Sequence, residues 1–510
     1  MSNNITKAWS EYEAGKEYKR KIGLYETVRR NERFYRGDQW SGTENVDLPK
    51  PVFNIIKRVI DYLVCSVATG NYALAYTDEN LPFCASESER KAIKRALEVM
   101  TGNAKYRWER CKMNSMIYSL LLDAAVSGDG IVYCYWDSSA HGDSQFSGDI
   151  GAQRIDNINF FVADVNEPDI QGQDYVMLAG RESVERLRAE ARENGADERS
   201  VMSIVADEDY TEGYDRKELA DGCGKATCLT KFHREGGKVV FEKCTKECVI
   251  KRVETECKLY PIAFFNWTPT KNSFHGTSPV SEMIPNQRFI NRAYAMVMKH
   301  MTDTAFSKVV YDKSRIPEWT NEIGEAIAVV GATNVSDAVS VVGVGKMQDN
   351  YLELIENAVS TTKEMMGATE TALGNTVPTN TSAILALKET SRMTLEQVTA
   401  SASKCIEEIA NIWADMMLAY YAEERLVPCG DGNGELAERI DLAALKSSLV
   451  RAKVEIGEAT TYSASAALSI LDKLLDGGFI SAKEYVEHLP GGFVLNRDMI
   501  LEEGGSIDGN

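Results

Sequence analysis

From Ser382 to Leu426 the chain contains neither glycine nor proline, and its apolar residues keep a helical period. At about 1.5 Å per residue such a stretch makes a rod of roughly 65 Å, longer than a simple globular core requires. The segments before it are also built from helices. One starts near Pro279 and carries Ile284, Ile290, Tyr294, Val297, Met298 and Met301. A β-prone insert from Phe306 to about Lys346 separates it from a second helix, Tyr351 to Met366. Ala368 to Thr379, rich in Gly, Thr, Asn and Pro, is too polar and too broken to be helix.

The first 270 residues read as one mixed α+β domain. A charged helix spans Trp9 to Arg36 and stops at Gly37; the aromatic turn Phe34 to Trp40 follows, and Asn54 can cap the helix Ile55 to Ala68. Ser86 with Glu89 fits a capping box. From there a helical pattern with a break at Gly102 runs to Ser127. Gly128-Asp129-Gly130 lies after a helix and before a strand, Ile131 to Trp136, the reverse of the order that aims backbone amides at phosphate. Ile158 to Ala163, Tyr175 to Ala179, Thr227 to His233, Lys238 to Phe241, Cys248 to Val253 and Ile262 to Trp267 read as strands. Glu182 to Asn194 reads as a charged helix and Asp207 to Asp209 as a solvated loop. Past the rod, Val450 to Val454 reads as a strand, Ser463 to Leu475 and Ser481 to His488 as a small helical unit, and Glu502 to Asn510 as a frayed acidic tail.

Fifty-seven basic against 76 acidic residues give a net charge of −19, which argues against a wide basic face that grips nucleic acid. Met1 to Lys7 lacks the apolar core of a signal peptide, so the 11 cysteines read as reduced thiols. No apolar run is long enough to span a membrane. Cys223, Cys228, Cys244, Cys248 and Cys257 are spaced unlike the CxxC pairs of zinc sites. None of His141, His233, His275, His300 and His488 stands where two could share a metal from one helix, and no Walker loop, G-x-S-x-G or HExxH occurs. Glu407 and Glu408 are adjacent and read as a solvated helix face. No metal, cofactor or catalytic residue is assigned. Arg288, Arg292, Lys299, Lys363 and Lys388 are the cations that could meet a nucleic acid, or else scattered surface charge.

The order of a mixed domain, a helix, a small β insert, a helix, a polar loop, a very long helix and a small helical end resembles the portal proteins of tailed bacteriophages. Local stretches match as well: Phe34 to Gly37, Asn54-Ile-Ile-Lys with Ile60, Asp61 and Tyr62, Tyr260-Pro-Ile-Ala-Phe-Phe, Gly276-Thr-Ser-Pro-Val with Gln287 and Asn291, and Thr381 to Lys388.

The resemblance implies an α+β, predominantly helical fold with wing, stem, clip and crown. Residues 1–277 would be the wing domain, 278–304 and 350–367 the stem helices, 305–349 the clip and 368–380 the channel loop. The long wing helix and a return strand would fill 381–456, and the helical crown and acidic tail 457–510. Loop residues Thr369, Glu370, Thr371, Asn375, Thr376, Thr379 and Asn380, flanked by Lys363 and Lys388, would face double-stranded DNA in transit. Lys308, Lys313, Arg315 and Trp319 would offer the clip to the terminase large subunit and a head-tail adaptor. The chain would be a non-enzymatic ring of about twelve copies at a capsid vertex, assembled in the host cytoplasm with scaffold or major capsid protein and without membrane. Two other readings stay open. One is another oligomeric structural protein using Leu395, Val398, Ala402, Cys405, Ile409, Ile412, Met416 and Tyr420 as a coiled-coil seam; the other is a nuclease with a carboxylate metal site.

Overall fold

The structure is a computed structural model. It describes residues 6–43, 47–68, 70–83, 86–141, 147–207, 224–305, 308–319, 327–331, 334–342, 350–370, 395–422, 425–429, 436–445, 448–458 and 471–481, with isolated positions at 373, 393, 468, 485, 486 and 489. The helices used below are α1 (Lys7–Lys21), α2 (Leu24–Arg36), α3 (Ile55–Ala68), α4 (Glu87–Arg110), α5 (Met113–Ser127), α6 (Val184–Glu193), α7 (Glu198–Ser203), α8 (Pro279–Thr304), α9 (Asn350–Met365) and α10 (Glu396–Tyr420). The strands are β1 (Gly70–Asp78), β2 (Asp129–His141), β3 (Ser147–Ile155), β4 (Phe160–Val162), β5 (Tyr175–Ser183), β6 (Lys225–Glu235), β7 (Lys238–Cys244), β8 (Val249–Glu254) and β9 (Ile262–Asn266), followed by β10 (Lys308–Tyr311), β11 (Val339–Val342), β12 (Leu426–Cys429), β13 (Leu436–Arg439) and β14 (Val450–Glu458). With 50% helix and 23% strand the architecture is mixed α+β.

Contacts divide the chain into two units. The first comprises Met1–Tyr25, Leu63–Thr277 and Leu395–Asn510; the second comprises Glu26–Tyr62 and Ser278–Thr394. Residues 26–62, inside the expected 1–277 domain, thus cluster with 278–394.

The sheet unit holds a three-stranded sheet, β3-β2-β9, and a five-stranded sheet, β4-β5-β6-β7-β8, all antiparallel. Side chains alternate faces along a strand, and β5 shows the result: Val176 and Leu178 join a core with Ile131, Phe160, Ile262 and Phe264 that both sheets share. Met177 and Ala179 face the other way, where Trp9 and Tyr12 of α1 cover them. Three of the cysteines whose spacing is unlike that of a zinc site are packing residues. Cys228 and Cys248 pack with α6 and α7, Cys244 packs under α1, and burial pushes the Cys228 and Cys244 thiols up to about 12. Cys223 lies outside the described residues.

The long helix is the main correction. Its expected first turns, 382–394, lie outside the described residues apart from Met393. Its end falls at Tyr420 rather than Arg425, because Tyr421 turns extended and is buried. Arg425 stacks on the Tyr421 ring at 4.3 Å and donates to Gly148 O at 2.8 Å. What remains, roughly 37 Å of helix, serves its own unit. Val398, Ala402, Cys405, Ile409, Ile412 and Met416 are buried there, and Trp413 is wholly enclosed, edge-on to Trp108 at 6.3 Å. Its polar side chains are not a solvated face either. Glu407 accepts from Val454 N–H at 3.3 Å, Asn411 from Ala452 N–H at 2.7 Å, and Asp415 from the Lys258 and Leu259 N–H groups at 2.7 and 2.9 Å.

Smaller corrections have local causes. The first helix breaks at Gly23, whose φ of +68° no helix tolerates, and stops at Gly37 as expected. The second break comes at Lys112, with φ +50°, and not at Gly102, over which α4 runs unbroken. Asp207 is no solvated loop residue: it accepts from Thr227 N–H at 2.7 Å and faces Arg181 at 3.5 Å. β1, which the sequence reading missed, pairs with β14, the expected return strand.

Trp413→Ala should lower stability by about 3–5 kcal/mol, the usual result of emptying a large buried aromatic site; denaturant unfolding measures it. A second test uses pH. Burial pushes the Glu408 carboxyl up to about 7, against the pull of Lys404. The ordinary value is 4.5. Between these two values the folded chain keeps a proton that the unfolded chain has released, so this stabilisation is complete below the lower value and is lost as pH rises through about 7. Glu408→Gln should flatten that part of the stability curve in thermal melts taken across this window.

Candidate functional site

The second unit is assembled around α8. Ser278 caps this helix, its side chain accepting from Val280 N–H, and Pro279 occupies the first turn, where a missing N–H is harmless. One face carries apolar residues: Ile290, Ala293 and Val297 pack with Ile355 of α9, and Ile55, Tyr294, Ala358 and Val359 close the cluster. A second face carries Gln287 and Asn291, both buried. Buried amides without partners are costly, and both of these have partners. Gln287 Oε1 accepts from Ile55 N–H at 3.0 Å and Ile56 N–H at 3.4 Å. Gln287 thereby satisfies the first orphan amides of α3 from another helix. Its Nε2 donates to Phe53 O at 2.8 Å and to Asn291 Oδ1 at 2.9 Å.

The chain of hydrogen bonds continues outward. Asn291 Nδ2 donates to Gln39 Oε1 at 2.7 Å, and Gln39 Nε2 donates to Phe34 O and Asn54 Oδ1, both at 3.1 Å. Asn54 caps α3 as the sequence predicts, accepting from Lys57 N–H at 3.0 Å, and its Nδ2 donates to Tyr35 O at 2.9 Å. On the rim Tyr35 donates to Asp61 at 2.7 Å, and Lys57 bonds the same carboxylate at 2.9 Å. Hydrogen bonds to Asp61 and Tyr35 raise the Lys57 pKa. Stretches far apart in sequence, Phe34 to Gly37, Asn54 to Lys57, Asp61, Gln287 and Asn291, therefore meet in one network. Of the cations on α8, Arg288 lies over the Phe34 ring at 5.3 Å, Lys299 reaches Asp47 O at 3.4 Å, and Arg292 is exposed.

α9 ends in a Schellman turn. Gly367 takes φ +70°, its N–H bonds Glu364 O at 3.0 Å, and Ala368 N–H bonds Lys363 O at 2.9 Å. Lys363 and Glu370, both expected to face DNA, pair with each other at 2.6 Å. Thr369 is half-buried. Thr371, Asn375, Thr376, Thr379, Asn380 and Lys388 lie outside the described residues. In the insert, β10 and β11 pair antiparallel, and Ile316 and Ala338, which lie between them in sequence, are buried. Trp319 stacks on Tyr311 at 5.2 Å, Arg315 faces Asp312 at 3.5 Å and Lys313 is exposed. The Lys308 side chain lies outside the described part. Among the described residues no group of three or more His, Cys, Asp or Glu could hold a metal ion, and no helix is long and apolar enough to cross a membrane.

Gln287→Leu should destabilise this unit by about 1–3 kcal/mol, the usual result of leaving buried N–H groups unpaired. Hydrogen exchange at Ile55 and Ile56 should accelerate first; unchanged protection there would refute the capping role.

Both helices expose large apolar residues, Phe289, Met296 and Met301 on α8 and Tyr351, Leu352 and Leu354 on α9, interspersed with exposed charges such as Arg288, Arg292, Glu353 and Glu356. No match was found among curated proteins. The family model of Phage P22-like portal proteins matches residues 15–443, which takes in the three- and five-stranded sheets, α8, the β10–β11 pair, α9 and α10. That match covers most of the chain, and the chain belongs to the family of P22-like portal proteins of tailed phages, structural rather than catalytic proteins of the head-tail connector through which the genome is packaged.

Proposed function

We propose that α8 and α9 form the stem of a ring of about twelve copies, with residues 305–349 as its clip and 368–380 as the loop lining the DNA channel. The observation that carries this reading is the exposure of large apolar side chains on both helices, with Met296, Met301 and Leu354 all more than half exposed. A patch of that kind on one chain is covered by the next copy when the contact is head-to-tail and the rotation closes. Among the described residues β10 and β11 form a two-stranded sheet, and its edges are satisfied in the same way.

A conduit must let DNA pass without holding it. Each phosphate contact adds affinity through counterion release, so the wall is best kept short of free cations. The pairing of Lys363 with Glu370 removes one such cation at the head of the loop. The remaining loop residues, Thr371, Asn375, Thr376, Thr379 and Asn380, with Lys388 beyond them, offer mostly small polar groups. The clip, through Lys308, Lys313, Arg315 and Trp319, would meet the terminase large subunit during packaging and a head-tail adaptor afterwards. The wing and crown would face scaffold or major capsid protein. The assembled protein would sit at one capsid vertex, built in the host cytoplasm, with no catalytic residue of its own.

Replacing residues 368–380 by a short glycine-serine linker tests the loop assignment. Rings should still form, while DNA packaged or retained per head should fall. Loss of folding would show instead that this segment belongs to a core.

A further inference from the structure

Ser127-Gly128-Asp129-Gly130 joins α5 to β2, far in sequence from every segment assigned to the channel. Gly128 takes φ +102° and ends α5, which leaves Asp129 to open β2 with its side chain wholly enclosed. Four donors converge on this carboxylate. Oδ1 accepts from Gly276 N–H at 2.8 Å and Asn266 Nδ2 at 2.9 Å; Oδ2 accepts from His275 Nδ1 at 2.7 Å and Asn157 Nδ2 at 3.1 Å. A carboxylate offers such partners two acceptor oxygens. An asparagine of the same shape would turn an NH2 group toward two of them.

Three of those donors, on Asn266, His275 and Gly276, belong to the end of β9 and the loop that runs from it to α8. Other contacts fix the same loop. Trp267 N–H bonds Gly128 O at 3.0 Å, Thr277 N–H bonds Thr268 O at 2.8 Å, and Phe274 stacks on Phe264 at 4.3 Å. At Gly276 a Cβ would stand 2.9 Å from both Gly128 O and Thr268 O, so the loop lies against the turn with no room for a side chain. Thr277 is the last residue of the sheet unit, and Ser278 caps α8.

We propose that Asp129 is a positioning residue of the portal: by holding Asn266, His275 and Gly276 on one carboxylate, it fixes the course of the loop from which the chain enters α8. The proposal rests on reading α8 as a stem helix. A buried carboxylate with four hydrogen bonds is a stiff anchor, and it holds the segment that turns a sheet into a channel helix.

The test compares Asp129→Asn with Lys19→Met in the full-length chain. Lys19 is buried in the same region and donates to the Asn157, Ile158 and Phe160 carbonyls, but makes no hydrogen bond to the loop. Melting temperature, hydrogen exchange of residues 266–277 and DNA packaged per head are measured for both. At equal loss of melting temperature, Asp129→Asn should raise loop exchange by about tenfold, as expected for unmade hydrogen bonds to a charged group, and should lower packaging well below the Lys19→Met level. If Asp129→Asn is not recovered folded, His275→Phe, which removes one donor and leaves the charge, should give the same result in weaker form. Packaging equal to that of Lys19→Met overturns the positioning role alone. A wild-type chain that forms no ring and supports no packaging overturns the stem reading itself.

Discussion

Gln287 decides how the second unit is put together. A helix held only by apolar contacts can slide by a turn at modest cost, because one leucine-sized contact replaces another. A helix whose buried glutamine must accept from Ile55 and Ile56 and donate to Phe53 and Asn291 has one register. Asn291, Gln39 and Asn54 pass the same constraint to the aromatic turn after α2. Burying so many amides serves specificity more than stability, since each bond is worth only about 1 kcal/mol net. What it secures is a fixed inner side, while Phe289, Met296, Tyr351 and Leu354 of the same two helices stay exposed.

The sheet unit solves a different problem. Two antiparallel sheets share one core and α1 covers the far side of the larger one, while α10 threads the unit with Trp413 enclosed and its polar side chains bound to strand backbones. Asp129 gathers the loop that leaves this unit.

Much of this was legible from residues alone. Strong periodicity and capping residues located α3, α8 and α9 closely, and Asn54 and Ser86 cap as expected. Helix ends decided by tertiary contacts were not legible: Tyr421 leaves the helix because a buried place exists for it beside Arg425. Gly102 misled because a single glycine lowers helix propensity by only about 1 kcal/mol, which packing of α4 easily offsets. The roles of Gln287 and Asn291 were half legible. Their resemblance to a family pattern marked them, but long-range partners such as Ile55 and Gln39 leave no periodic trace. Asp129 was read as part of a turn, and its four donors come from three separate segments.

The central claim is that one rigid helical unit, registered by Gln287 and Asn291, lines a channel when copies of the chain close into a ring. Electron cryomicroscopy of the purified full-length protein tests it most directly. The account requires closed rings with a duplex-wide hole, α8 and α9 nearest the axis and Met296, Met301 and Leu354 covered by a neighbouring copy. A persistent monomer, or a ring whose inner wall is built from the β2 and β6 sheets, would contradict it.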